Sequence, residues 1–263
     1  VGLAVLFFGK LIVSYREEKG HAAVQKALLN KSIKLCLWCC LLFIAIPFGI
    51  YFTAFLPLTT LPHNRYDVFG RFIAYQTHMY NYHSTLQATH PFESPWYQWP
   101  FDIRNVWYYG NYSADSEGHI RTISVLGNPL FFWACVPATV YAFVRAVKRH
   151  SRTALICAIG FLSAYLPWVL VPRCTFIYHY FTAVPFILIA LLIAYQRLEE
   201  TASLRRVVFT KGAVTLTVGR ILLLACVLVH ILMFIAFYPV LTGTLTTQNY
   251  ANALEWLPSW FFI

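Results

Sequence analysis

What most limits the folds open to this chain is a succession of apolar runs long enough, or nearly long enough, to cross a bilayer, divided by connections that carry the basic residues. Complete runs read from about Leu35 to Leu56, Leu130 to Phe143, Ala154 to Val171, Tyr178 to Tyr195 and Ile221 to Tyr238; a span needs roughly 17–25 residues. The second is expected to begin nearer Ile123. Hydrophobic residues make up 59% of the 263 and charged ones 11%, where soluble domains carry about 45–50% and 25%. The chain therefore reads as an all-α polytopic membrane protein. A shorter run, Val1 to Val13, comes first and reads as the tail of a helix that begins upstream. On that reading the chain is the C-terminal part of a longer protein. A signal peptide fits less well, because Val1 stands where an initiator is expected and no small-residue cleavage site follows.

A net charge of +10 would suit nucleic acid, but its distribution suits a membrane protein instead. Lys10, Arg16, Lys19, Lys26, Lys31 and Lys34 lie in or beside the first hydrophilic connection. Arg145, Lys148, Arg149 and Arg152 lie in a second, and Arg197, Arg205, Arg206, Lys211 and Arg220 in a third. The positive-inside rule makes these three cytoplasmic, so the long connection from Leu58 to Gly127 and the C-terminal tail face the exterior or lumen. The expected organisation is a truncated helix and cytoplasmic connection over 1–34, a span over 35–57, an external loop over 58–127, and a four-helix membrane domain with an external tail over 128–263.

Two segments of external character stand out. The first is His90-Pro91-Phe92-Glu93-Ser94-Pro95-Trp96-Tyr97-Gln98-Trp99-Pro100. Its prolines fix φ at their own positions and push His90, Ser94 and Trp99 toward extended geometry, while Trp96, Tyr97 and Trp99 carry rings that suit the headgroup layer or a sugar face. The second is Pro172-Arg173-Cys174-Thr175-Phe176-Ile177-Tyr178-His179-Tyr180-Phe181, a short turn running into a span. Arg173 at the membrane boundary can reach a phosphate bidentately or simply snorkel. His179 lies deeper, where a histidine is either functional or holds an interhelical hydrogen bond. His230, without polar neighbours, reads as structural.

Elsewhere in the loop, Tyr66 to Leu86 reads as an amphipathic helix, with Phe69, Phe72, Ile73, Met79, Tyr80, His83 and Leu86 on one face and Gln76 intruding on it. Phe101 to Tyr112 is rich in β-formers, Ser113 to Gly118 reads as a turn, and Asn111-Tyr112-Ser113 is a glycosylation sequon. Glu93 and Arg104 can pair across the Pro-rich turn or bind hydroxyls. His63, His78, His83, His90 and His119 show no ligand spacing, and Cys36-x-x-Cys39 lacks a second pair, so no metal and no cofactor are expected. No Asp or Glu falls inside a span, which disfavours a proton-coupled transporter; a transporter or a non-catalytic assembly subunit remain the alternatives to an enzyme.

The stretches HPFESPWYQWP with RNVWYY, and PRCTFIYHYF continuing into AVPFILIALLIAY, resemble the C-terminal membrane region of the dolichyl-phosphate-mannose protein mannosyltransferase family. The resemblance covers about Leu35 to Tyr238. It implies a GT-C type fold and transfer of mannose or a related sugar from a polyprenyl phosphate to protein Ser/Thr hydroxyls on the external face. The implied partners are a polyprenyl-phosphate-linked sugar donor, a hydroxyl acceptor, the lipid bilayer and a second subunit, with no nucleic acid. The family's catalytic acid belongs to an external loop that precedes this chain, so the catalytic residue is unassigned here. Leu58 to Gly127 is too short for the β-trefoil domain of eukaryotic members, which points to a bacterial plasma membrane, the endoplasmic reticulum being the setting expected of a eukaryotic member. On this resemblance Arg173, His179 and Tyr180 are expected at the donor phosphate, and His90, Glu93, Trp96, Trp99 and Arg104 around the sugar or acceptor.

Overall fold

A computed structural model of the chain describes residues 2–60, 67–112, 118–212 and 214–263. His63, the residues 113–117 of the expected turn, and Ser113 of the sequon lie outside these. Among the described residues, helices at Ala22–Leu58, Pro129–Lys148, Arg152–Leu170, Ile177–Glu199 and Val218–Thr242 are long and apolar enough to cross a membrane. Ala22–Leu58 outruns its apolar stretch most, because the helix continues N-terminally through Lys26, Lys31 and Lys34.

Leu3–Gln87 forms one compact unit. Helix α1 (Gly2–Glu17) turns at Gly20, φ +101°, into α2 (Ala22–Cys40). A π-helical stretch Leu41–Ala45 then leads into α3 (Ile46–Thr53). Pro47 explains it: a residue without an N–H cannot close the i→i−4 ladder, which loosens by one residue just before it. Helix α4 (Val68–Thr85) is capped by Asp67, whose side chain accepts from Gly70 N at 2.7 Å. Its Phe72 sits among Phe48, Tyr51, Phe52 and Phe55, with ring centroids 5.2–5.8 Å away. Gln76, which interrupts the apolar face, donates to Tyr51 Oη at 2.8 Å.

The second unit is Ala88–Ile263. A 3-10 turn Trp96–Phe101 leads to strands β1 (Val106–Tyr112) and β2 (His119–Val125), then to α5 (Pro129–Lys148) and α6 (Arg152–Tyr165). Two 3-10 segments, Leu166–Leu170 and Ile177–Ala183, bracket the PRCTF turn before α7 (Val184–Glu199). Short α8 (Ala202–Arg205), the hairpin β3 (Val207–Lys211) and β4 (Val214–Thr217), α9 (Val218–Thr242), β5 (Thr246–Thr247) and α10 (Gln248–Ala253) complete the order. Helices α5, α6 and α7 approach closely through Ala142, Ala146, Ala154, Cys157, Ala158 and Ala190, small residues that allow backbones near contact where lipid offers no hydrophobic drive. Gly160 is required there, since a Cβ would lie 2.1 Å from the Phe186 ring.

The span beginning α5 does not reach back to Ile123. That residue belongs to β2, paired antiparallel with β1 and, at His119 and Ile120, with β5; the helix starts at Pro129, with Asn128 accepting from Phe131 N at 3.2 Å. The small sheet lies outside a purely helical reading. β2 is concealed in sequence because two of its inward positions are Thr122 and Ser124. Thr122 Oγ1 accepts from Trp107 Nε1 at 2.9 Å and donates to Tyr109 O at 3.1 Å, and Ser124 Oγ donates to Phe261 O at 3.3 Å.

The tail is sewn to the end of the aromatic segment. Fully buried Asn105 accepts at Oδ1 from Phe261 N, 2.9 Å, and donates through Nδ2 to Phe261 O. Trp260 Nε1 donates to Asp102 O at 2.7 Å. Asn105→Ala leaves Phe261 N without its partner and Phe261 O with only Ser124, and is expected to cost about 1–3 kcal/mol, read as a lower thermal midpoint; an unchanged midpoint would show that the tail docks without it.

Candidate functional site

The two segments singled out in the sequence meet. Ser94 N donates to Thr175 O at 2.8 Å and Thr175 Oγ1 donates to Ser94 O at 2.9 Å, both residues buried. This backbone-level clasp exists because Pro91 and Pro95 hold the first segment extended, so Ser94 presents an unpaired N–H and C=O to a neighbour. Trp99 secures the same point: its Nε1 donates to Ser94 O at 3.1 Å and to Ser94 Oγ at 3.0 Å. Tyr165 Oη donates to Trp96 O at 2.8 Å, tying the segment to the end of α6.

His179 stands in the 3-10 segment that precedes Pro185, where the missing proline N–H stops the α-helical ladder from extending backwards. Its Nδ1 lies 3.1 Å from Phe176 N, from which it can accept, and 2.9 Å from Phe176 O, to which it can donate; the first arrangement puts the ring proton on Nε2, the second on Nδ1. Nε2 makes no hydrogen bond among the described residues. Aromatic rings surround the imidazole: Trp168 with its centroid at 4.1 Å, Tyr178 at 4.5 Å, and Trp99 at 5.9 Å and nearly parallel. Arg173, half-buried, has neither ion pair nor hydrogen bond among the described residues, while its charge is felt by both Tyr178 and His179. An uncommitted guanidinium beside an imidazole has the chemistry to meet an anion.

The other expected residues divide. His90 is exposed, its ring 5.2 Å from Phe176, so it shares the rim. Trp96 is half-buried, edge-on to Tyr97 and Tyr165. Trp99 and Tyr180, by contrast, are 0% and 3% exposed and pack in the core with Phe132, Phe161 and Ile177. Neither offers a face to a ligand; both set the position of what does. The Glu93–Arg104 pair does not form among the described residues. Glu93 Oε2 instead accepts from His90 N at 3.3 Å, closing its own turn, and Arg104 Nε is sealed without a partner. Sequence reasoning missed Ser94, Thr175, Trp168 and Tyr178 as members of the site. Ser94 and Thr175 lie inside the two recognised segments, but nothing in a spacing of 81 residues announces that they clasp.

Comparison with known proteins places these features in context. The family model for the C-terminal four-TMM region of protein-O-mannosyltransferase matches residues 68–260. The polyprenol-phosphate-mannose–protein mannosyltransferase of Corynebacterium glutamicum is 26% identical over 196 residues, 72% of this chain and 36% of that protein. That of Mycolicibacterium smegmatis is 25% identical over 242 residues, 82% of this chain and 45% of that one. The chain thus spans less than half the length of these relatives. The Saccharomyces cerevisiae protein O-mannosyltransferase Pmt1-Pmt2 complex, solved bound to the sugar donor, shares the fold with a TM-score of 0.56 at 21% identity, over 76% of this chain and 28% of that one.

Proposed function

The chain belongs to the protein O-mannosyltransferase family, whose C-terminal membrane region it contains, and from that premise we propose that it supplies the leaving-group side of a glycosyl-transfer site. The donor is a polyprenyl-phosphate-linked mannose or related sugar, and the acceptor a protein Ser or Thr hydroxyl on the external face. The observation that carries this reading is the uncommitted Arg173, held beside His179 by the Ser94–Thr175 clasp.

In inverting transfer the acceptor oxygen attacks the anomeric carbon as the bond from that carbon to the phosphate oxygen breaks. The hydroxyl proton goes to a base, which the resemblance puts outside this chain, and negative charge grows on the departing phosphate. Arg173 meets that charge, and His179, in the tautomer that accepts from Phe176 N, donates to it through Nε2. His90 and Trp96 line the sugar or acceptor side, with Glu93 fixing the His90 turn and Arg104 a further polar group assigned to that side; Trp99 and Tyr180 act by positioning. A bacterial plasma-membrane setting fits the bacterial relatives, and association with a second subunit is part of the same reading, the fold neighbour being a two-subunit complex.

The test is transfer by the full-length protein in vesicles, supplied with polyprenyl-phosphate mannose and a Ser/Thr peptide. One hexose added to a hydroxyl residue is expected, and a donor-loaded protein that modifies no hydroxyl acceptor would refute the assignment. His179→Gln is expected to lower kcat by about 10–100-fold with the KM for peptide unchanged; wild-type turnover would take His179 off the phosphate.

A further inference from the structure

On the opposite ends of the same helices, a cavity of about 620 Å³ opens between the C-terminal turns of α5 and α7, lined by Tyr141, Val144, Arg145, Lys148, Arg149 and Arg197, with Glu200 at its edge. Its volume lies within the range of small-ligand sites. Cations at helix C-termini are unremarkable on dipole grounds alone, but three details here go further. Glu200 is occupied by Arg197, Nη1 to Oε2 at 2.6 Å. That bond, with Arg145 and Arg205 adding their charge, holds the Glu200 carboxyl below its ordinary range. Arg145, Lys148 and Arg149 then have no ion pair among the described residues, and Arg145 Nε is buried without any acceptor. The cavity is therefore short of negative charge and of one acceptor oxygen.

The surroundings say which anion. Tyr141, Arg145 and Lys148 follow one another at helical spacing on α5, and Val140, Val144 and Val147 form the adjacent stripe, exposed by 59%, 43% and 72%. A cationic cup that continues through Val144 into an apolar, outward-facing stripe suits a molecule with a phosphate at one end and hydrocarbon at the other. We infer that this cavity binds the phosphate headgroup of an anionic membrane phospholipid, its acyl chains lying along the valine stripe of α5. The site is separate from the donor site and uses none of its residues.

Thermal melting of the full-length protein in neutral detergent tests this. Added phosphatidylglycerol is expected to raise the midpoint by about 3–8 °C, phosphatidylcholine to leave it within 1 °C or so, and inorganic phosphate at equal concentration to do no more. Arg145→Gln should abolish the phosphatidylglycerol shift. The paired exposed changes Lys148→Gln and Arg149→Gln, which threaten folding less, should at least halve it, whereas Lys211→Gln on the β3–β4 hairpin should leave it intact. An equal shift with phosphatidylcholine, full retention in the paired variant, or equal loss in Lys211→Gln would overturn the site. A full shift with inorganic phosphate would overturn the lipid as its occupant.

Discussion

Arg173→Ala is expected to slow sugar transfer from the lipid-linked donor by about 10²–10³-fold, the loss associated with removing one preorganised donor from a developing oxyanion. The guanidinium has no other duty among the described residues, so the change should leave the thermal midpoint nearly untouched. Arg173→Lys should restore only part of the rate, because a point charge cannot reproduce the two-pronged contact. The loss should fall on donor turnover and not on the KM for the acceptor peptide. Unaltered donor kinetics in Arg173→Ala would remove this residue from the site and, with it, the assignment of the phosphate to this end of the spans.

Asp102→Asn is expected to flatten the dependence of stability on pH. Asp102 closes the Trp96–Phe101 turn in a left-handed conformation, φ +53°, and is 0% exposed. Its Oδ1 accepts from Gly127 N at 3.1 Å while Oδ2 is buried with no partner. Burial raises its carboxyl from an ordinary 3.8 to about 7, against a smaller opposing effect of the Gly127 bond. The sign follows from proton uptake: between about pH 4 and pH 7 the folded protein keeps a proton that the unfolded chain has released. Asp102 therefore contributes stability that is complete below about pH 4 and drains away as pH rises through 7. At 1.36 kcal/mol per unit the total is roughly 4 kcal/mol.

Asparagine is neutral throughout, tolerates the left-handed conformation and retains the acceptor for Gly127. At pH 8 it should be more stable than the natural residue by roughly 1–3 kcal/mol, once the cost of an unpaired amide N–H is allowed for. The difference between the two melting profiles isolates Asp102 from every group the two proteins share. Parallel profiles at pH 5 and pH 8 would mean that the carboxyl is already ionised and solvated in the folded protein.

Much of this architecture was legible in the chain because it depends on properties that each segment carries by itself. Apolar length set the spans, although not the start of α5 at Pro129, and the extended Pro91–Pro95 segment announced itself through residues that restrict their own backbone. The family resemblance was legible for the same reason: it rests on short contiguous strings. What pairs with what was not. Thr122 and Ser124 look solvent-facing until Trp107 and Phe261 arrive to satisfy them, and Trp99 looks like a ligand platform until Ser94 and the rings of Trp168 and His179 enclose it.

By itself the sequence determined that this protein crosses a membrane several times, with its basic residues in three connections and two aromatic, proline-bearing segments elsewhere. Only the tertiary structure decided that those segments clasp through Ser94 and Thr175, that Arg173 is left uncommitted while Glu93 and Arg104 stay apart, and that α5 and α7 enclose a cationic cavity. The reason is physical. Hydropathy and backbone restriction are local, whereas burial and hydrogen-bond satisfaction are properties of pairs brought together from distant parts of the chain.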